Sequence, residues 1–416
     1  MNQPSARAAA LSLLQHVLDQ RLTLDEARAR IPLPKSAPDQ RFAELLALTV
    51  LRHRGQIDAI LAPMLAKPLP PKRAAVSHAL RLGVAQLLLL ETPAHAAIHE
   101  TVGLLKSGKD RGLTGLVNAV LQRVGRERPA LPHPIANIPD WLATRWREAY
   151  GEDAVRRIAE VAASRPPLDL NGSTACEGAV TLDASITRLP ADHPPVEHLP
   201  GFAEGAFFVQ DWAASFPARM LGDVQGLRVL DACAAPGGKT LQLARAGASV
   251  TALDRSAPRL ARLRENLARM QLTAEIVTAD ALTWQPDAPF DAVLLDAPCT
   301  ATGTWRRHPE VLATLTPADI TELASLQRAL LARAWSWLKP GGRLVYCTCS
   351  LEPEEGEDQA HWFAGTHADA TPLTPTSAIP ADYFIAPHVL RTRPDYAAAH
   401  HGMDGFFAMG WQKRSR

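Results

Sequence analysis

Two regions of different class are predicted, an all-α bundle followed by an α/β domain on a doubly wound parallel sheet. Three observations carry this reading. Through residue 128, apolar residues recur at helical spacing, as in Leu11, Leu14, Leu18 and Phe42, Leu45, Leu46, Val50. From Leu227 onward, short apolar runs alternate with helical stretches, the signature of a parallel sheet with crossover helices. Four of those runs end at or beside an aspartate.

The front region, residues 1–128, is rich in alanine and leucine and breaks at Pro68–Pro71 and at Thr92-Pro93, as helices joined by turns do. A proline-bearing link, RPALPHP, leads to a helical pair between Pro139 and Ser164. Residues 129–225 form the connecting region, and from 165 its signals are mixed. Residues 226–416 carry the strand runs LRVLDA, SVTALD, AEIVTAD, FDAVLLDAP and GRLVYCTC, with helices expected at Ala257–Met270 and Pro317–Leu338.

A chain of 416 residues with 47% hydrophobic and 21% charged composition is expected to be a soluble globular protein of two or three domains. No apolar run reaches the ~18 residues a membrane helix needs, and the start reads as an amphipathic helix rather than a signal peptide. Five irregularly spaced cysteines argue for a reducing compartment, so the cytoplasm is expected. Charge is divided unevenly: residues 1–165 hold 23 Lys and Arg against 15 Asp and Glu, a net +8, and the remainder carries −7. A basic front half suggests RNA or DNA as a partner; a solvated helix surface explains the same charge.

After Asp231 comes the turn ACAAPGGKT. Gly237 and Gly238 permit close approach of a ligand to the backbone, and the following helix points N–H groups at it. The candidate cofactor-binding residues are Cys233, Ala234, Ala235, Pro236, Gly237, Gly238 and Lys239, with Asp254 placed for ribose hydroxyls, Asp280 and Asp296. Several carboxylates around one crevice repel a polyphosphate and suit a cationic nucleoside, so S-adenosyl-L-methionine fits better than NAD or ATP. GGKT imitates the end of a phosphate-binding loop, but Cys233 stands where that loop needs its first glycine.

Cys299 and Cys349 each follow a separate apolar run and should open onto the same sheet edge. A thiolate adding to C6 of cytosine makes C5 nucleophilic toward a methyl donor. Two thiols and Asp296, hydrogen-bonding the base edge, supply the needed groups. Spacing leaves open which thiol attacks. Cys176 and Cys347 read as small buried hydrophobes, and Cys233 as packing within the turn. Without a CxxC pair no metal is expected.

DACAAPGGKT, LLDAPCTATGTWRRHPE and GGRLVYCTCSLEPEE resemble the bacterial 16S ribosomal RNA cytosine-5 methyltransferase B family, of Sun or RsmB type. PAHAAIHETV and GLVNAVLQRV are similar to its NusB-like RNA-binding domain, and FFVQDWAAS and DGFF match it as well. The resemblance covers most of the chain. It implies a helical NusB-like domain, a Rossmann-like methyltransferase domain and methylation of 16S rRNA or a small-subunit precursor through a covalent cysteine adduct. It implies Cys349 as nucleophile, Cys299 in enzyme release, Asp296 as the active-site aspartate, Asp254 as the ribose acid and Asp280 on the adenine side. The same chemistry on tRNA, or a non-catalytic assembly factor, is the alternative. Arg306, Arg307 and His308 read either as phosphate contacts or as a solvated basic turn. The segment after Pro167 departs from the family: it is shortened, with Asp169 where an arginine is expected.

Overall fold

The computed structural model describes residues 3–374 and 379–415. The chain divides into two compact units: residues up to Ser164 together with Trp305–Leu315, and Arg165–Thr304 together with Thr316–Arg416.

The first unit is helical. Its elements are α1 (Ala6–Gln20), α2 (Leu24–Arg30), α3 (Ala37–Arg52), α4 (Arg54–Leu61), α5 (Ala74–Leu88), α6 (Ala94–Gly103), α7 (Thr114–Glu127), α8 (Asp140–Tyr150) and α9 (Glu152–Ala163). Helix starts follow local chemistry: the Ser5 hydroxyl accepts from Ala8 N–H at the head of α1, and Thr23 with Glu26 forms a reciprocal capping box on α2. The core is made by Leu13, Leu14 and Val17 of α1, Leu46 and Val50 of α3, Leu80 and Val84 of α5, and Val117, Leu121 and Val124 of α7, all buried. Helices α5 and α7 run side by side in the same direction, with Gly83 against Leu121 and Leu87 against Gly125. A Cβ on Gly83 would lie 2.4 Å from Leu121 Cδ1, so glycine is what permits this approach.

The segment Trp305–Leu315 belongs to this unit. The indoles of Trp146 and Trp305 lie 6.2 Å apart, and Arg52 Nη1 donates to the carbonyl of Arg306 at 2.6 Å. Arg306 itself is 1% exposed, so neither a solvated turn nor a phosphate contact describes it: its side chain is part of the packing.

The second unit opens with a small antiparallel sheet of β1 (Leu168–Gly172), β2 (Val180–Thr181), β3 (Ile186–Leu189) and β4 (Phe207–Val209), in the order β2-β3-β1-β4. Asp169 is buried in a two-pronged pair with Arg188 (2.6 and 2.7 Å) and accepts from Trp212 N–H at 3.0 Å. The departure at this position thus carries a complete charge pair of its own.

After α10 (Phe216–Met220) come β5 (Arg228–Ala232), α11 (Gly238–Arg245), β6 (Ser249–Asp254), α12 (Ala257–Arg269), β7 (Glu275–Thr278) and β8 (Phe290–Asp296). The order continues with α13 (Glu310–Thr314, in the first unit), α14 (Pro317–Ser336), β9 (Leu338–Thr348), α15 (Glu357–Thr366), β10 (Ala370–Pro372), β11 (Phe384–Ala386), β12 (Val389–Arg391) and β13 (Phe407–Lys413). Strands β7, β6, β5, β8 and β9 are parallel neighbours in that order, and β13 closes antiparallel on β9, followed by β12 and β11. Chain order reverses between β5 and β8, which is where open α/β sheets hold ligands at their carboxyl ends. Burial of Val293, Leu294 and Leu295, and of Leu344, Val345 and Tyr346, on both faces explains why these strands read as continuous apolar runs.

Candidate active site at the carboxyl edge of the parallel sheet

The turn after β5 is shaped by its own backbone. Cys233 sits at φ 63°, Ala234 N–H donates to Leu253 O at 3.0 Å, and Ala235-Pro236 is cis. Gly237 heads α11 at φ 110°, where a Cβ would meet Leu263 Cδ1 at 2.3 Å, and no side chain caps that helix start. Glycine is therefore required by both conformation and space. Next to it, Gly238 lies against Gln210 of the FFVQDW stretch.

The acids are held to this turn. Asp254 Oδ2 accepts from Ala235 N–H at 3.0 Å and Oδ1 from Ser256 N–H at 2.8 Å, so this carboxylate tethers the turn as well as ending β6. Asp280 accepts from Leu282 N–H at 2.9 Å and is exposed. Asp231 is fully buried: Thr240 donates to Oδ2 at 2.5 Å, while Oδ1 has no hydrogen-bond partner among the described residues. Burial pushes the Asp231 carboxyl up to about 7, Thr240 works against this, and the charges of Asp296 and Asp254 add to the rise.

Lys239 turns away from its own loop. Its Nζ pairs with Asp296 Oδ2 at 2.8 Å and stands 5.1 Å from the centre of the Phe406 ring. Burial alone would lower the Lys239 ammonium, but Asp296, with Cys347 and Asp231, outweighs it and raises the lysine further. The other oxygen of Asp296 lies 3.4 Å from Cys347 Sγ.

Cys299 and Cys349 come together, Sγ to Sγ 3.5 Å, and both are free thiols. The contact with Cys349, then burial, pushes the Cys299 thiol well above the usual range. Cys347 is fully buried within β9 and raised by that burial and by Asp296; Cys233 is raised by burial and by Asp254.

One carboxylate, which the sequence shows only as one of the acids Glu352, Glu354 and Glu355 near the thiols, organises this pair. Glu355, with no exposed surface, accepts from Thr300 N–H (3.0 Å) and Thr300 hydroxyl, from Ser350 hydroxyl (2.5 Å) and from Gln327 Nε2 (2.9 Å). Thr300 follows Cys299 and Ser350 follows Cys349, so one buried side chain clasps both thiol loops. Burial raises Glu355, although four donors favour its charged form. Its own carbonyl accepts from Tyr346 and Thr348 hydroxyls at 2.8 and 3.1 Å. The usable signal was a hydroxyl residue directly after each cysteine and, after Ser350, an acidic run at Glu352, Glu354 and Glu355. A second link is backbone to backbone: Gly303 N–H donates to Cys349 O at 2.9 Å, and Gly405 N–H to Gly303 O at 2.8 Å. The DGFF stretch is thereby pinned to the thiols, and its Asp404 N–H donates to Asp211 of FFVQDW at 3.1 Å.

The donor set suits a cationic cofactor. Carboxylates dominate the crevice, its lysine is matched by Asp296, one carboxylate oxygen is orphaned, and a cradle at Gly237 admits no Cβ. Among the described residues no cluster of three or more His, Cys, Asp or Glu is placed to hold a metal ion, and no helix is long and apolar enough to cross a membrane.

Comparison with known proteins agrees in both units. Residues 218–411 match the family model described as 16S rRNA methyltransferase RsmB/F, and residues 4–126 match the NusB family. The chain is similar to ribosomal RNA small subunit methyltransferase B of Shewanella oneidensis, at 35% identity over 96% of this chain and 97% of that protein. Proteins of the same name from Pasteurella multocida (37% identical, 88% of each chain) and Xanthomonas campestris (38%, 88% of this chain and 89% of that one) are also similar. Among solved structures, that of PH0851 has the same fold (TM-score 0.76, 23% identity, 99% of this chain and 100% of that chain). A methyltransferase homolog protein from Pyrococcus horikoshii matches with TM-score 0.55 at 28% identity, over 68% of this chain and 100% of its own.

Proposed function

The chain belongs to the ribosomal RNA small subunit methyltransferase B family, and from that premise we propose that it converts cytosine to 5-methylcytosine in 16S rRNA or its small-subunit precursor, using S-adenosyl-L-methionine. The observation that supports this best is the pair of free thiols 3.5 Å apart beside the Lys239–Asp296 ion pair. The cofactor, when bound by the turn from Cys233 to Lys239 with Asp254 and Asp280, supplies an electrophilic methyl group.

The chain's residues prepare the base to accept it. Cys349 Sγ, as thiolate, forms a bond to C6, and the displaced ring electron pair makes C5 nucleophilic. Asp296, held by Lys239, accepts a hydrogen bond from the base edge. Once C5 carries the methyl, its proton goes to a base, the ring double bond re-forms, and the C6–S bond breaks to return the Cys349 thiolate. Cys299 serves that release as a thiol: its raised pKa keeps its proton on, so it can hydrogen-bond the departing Cys349 thiolate beside it, while the C5 proton passes to solvent.

The test is methyl transfer from labelled S-adenosyl-L-methionine to transcribed 16S rRNA and to tRNA, with nucleoside analysis and denaturing gels. Cys349→Ala is expected to lower transfer at least about a thousand-fold and form no adduct. Cys299→Ala is expected to accumulate a protein–RNA complex that survives denaturant. Reversed adduct behaviour would reassign the two thiols, activity in both variants would remove cysteine catalysis, and transfer to tRNA alone would replace the substrate.

A further inference from the structure

Asp169 and Arg188 face each other across β1 and β3, with the carboxylate side chain 0% and the guanidinium side chain 5% exposed. Arg188 Nε and Nη2 are taken by the two carboxylate oxygens, and the remaining nitrogen, Nη1, reaches past them. It donates to the carbonyl of His400 and, at 2.6 Å, to that of Gly402, both in the loop between β12 and β13. This loop turns through three left-handed residues, Ala397 (φ 53°), His401 (φ 62°) and Gly402 (φ 79°), and only the last is glycine. Such backbone persists where its surroundings over-determine it, and Arg188 supplies two of the restraints. Three residues on, the loop meets the thiols. Gly405 packs so closely on Gly303 that a Cβ on Gly303 would lie 2.0 Å from Gly405 O, and Gly303 N–H donates to Cys349 O. Phe406 follows, with its ring centre 5.1 Å from Lys239 Nζ.

We propose that Arg188, fixed by Asp169, is a positioning residue for methyl transfer: it sets the loop from His400 to Phe406, and through it the backing of Cys349 and the ring beside Lys239. The inference rests on the reaction proposed above and gives the small antiparallel sheet a part in it. Stability alone does not account for the pair, because a buried ion pair contributes little beyond what a well-packed apolar pair would. What it contributes is geometry. A planar guanidinium engaged at both ends fixes distance and angle together, which an ammonium on a flexible stem does not. The carboxylate is equally committed. Asp169 Oδ2 accepts from Trp212 N–H at 3.0 Å and its carbonyl from Gln210 N–H at 3.0 Å, and Gln210 lies against Gly238. One buried pair therefore joins the segment packed on the turn from Cys233 to Lys239 with the loop packed on the thiols.

The test uses full-length protein carrying Arg188→Lys, the pair Asp169→Leu with Arg188→Met, or Leu189→Ala. Lysine keeps the charge opposite Asp169 but has no second arm for the loop. The apolar pair removes both charges, so neither is stranded. Leu189, buried in the small sheet beside Arg188, is the control: its truncation weakens the sheet and leaves the loop contacts in place. The readouts are folded fraction by thermal unfolding, S-adenosyl-L-methionine affinity by calorimetry, kcat and KM with transcribed 16S rRNA, and the rate at which iodoacetamide alkylates Cys349. Both Arg188 variants are expected to lower kcat per folded molecule at least about 10-fold, with KM and cofactor affinity within about threefold, because the reacting groups are held less well. Alkylation of Cys349 is expected to quicken at least about threefold as its backing loosens. Leu189→Ala is expected to lower the thermal midpoint and keep kcat per folded molecule. Wild-type kcat in both Arg188 variants would overturn the assignment, as would a loss of kcat no greater than in Leu189→Ala, or a change confined to KM. Should the wild type transfer methyl to no RNA, the proposed reaction falls and alkylation alone decides: equal rates in wild type and Arg188→Lys would then overturn the positioning role as well.

Discussion

The carboxyl edge of the sheet has two halves held by different means. On the β6–β7 side, acids at strand ends are secured by backbone N–H groups a few residues along or in the adjacent turn, as Ser256 and Ala235 secure Asp254 and Leu282 secures Asp280. On the β8–β9 side, the thiols are secured by side chains, through Glu355, which reaches Thr300 across 55 residues of sequence and Gln327 across 28. Backbone donors tolerate most side-chain changes around them. A clasp made of one carboxylate does not, so the thiol half is the more fragile.

That contrast yields its largest expected effect at Glu355. Replacement by alanine strands several buried donors, each costing about 1–3 kcal/mol when left unmade. Glu355→Ala is expected to lower the thermal midpoint by several degrees and methyl transfer at least about a hundred-fold, while cofactor affinity stays within a few-fold. Glu355→Gln, which keeps the volume and one accepting oxygen, is expected to recover much of both losses. An alanine variant with wild-type transfer would show that the thiol loops hold each other without the clasp.

On the other half the expected effect is smaller and of another kind. Asp254→Ala removes a charged acceptor worth about 1.5–3 kcal/mol, so calorimetry should show S-adenosyl-L-methionine binding weakened about 10- to 150-fold. The maximal rate at saturating cofactor should change little. A fall in maximal rate with affinity intact would mean that Asp254 serves the chemistry, and the two halves would no longer be distinct.

The same contrast explains what was legible in the sequence. The two-part fold was readable because its signals are local: helical spacing in the front region and alternation of strand and helix behind it. The resemblance to a methyltransferase family was readable from contiguous motifs, each a strand end with its turn. Asp231, Asp254, Asp280, Asp296 and both thiols were visible as residue types at those ends. Glu355 was visible only as one of several acids after Ser350, because its partners lie on three separate elements. The burial of Arg306 likewise rests on contacts between distant positions, and a basic residue carries no local mark of its burial. The connecting region read weakly because its strands are two to five residues long and its charge pair, Asp169 with Arg188, joins two of them.

The last comparison runs through pH. Asp231 sits between the halves, raised by burial to about 7 from an ordinary value near 3.9. The folded chain therefore binds this proton more tightly than the unfolded chain, and between those two pH values the native state holds more of it. Stability from this group is full below the unfolded value, falls as pH rises and levels off above about 7. Asp231→Asn keeps an acceptor for Thr240 and removes the titration. It is expected to match the wild type near pH 4 and to exceed it at pH 8 by up to about 4 kcal/mol, at about 1.4 kcal/mol per pH unit. A cationic cofactor reverses the preference, since it favours the ionised carboxylate. Wild-type affinity for S-adenosyl-L-methionine should then tighten from pH 6 to pH 8, while the Asp231→Asn variant stays flat across the same range. Denaturant titration and calorimetry at matched pH read the two limbs separately. If stability and affinity in the variant both track the wild type at every pH, Asp231 is ionised throughout, and the rise attributed to its burial is cancelled by the neighbouring ammonium of Lys239.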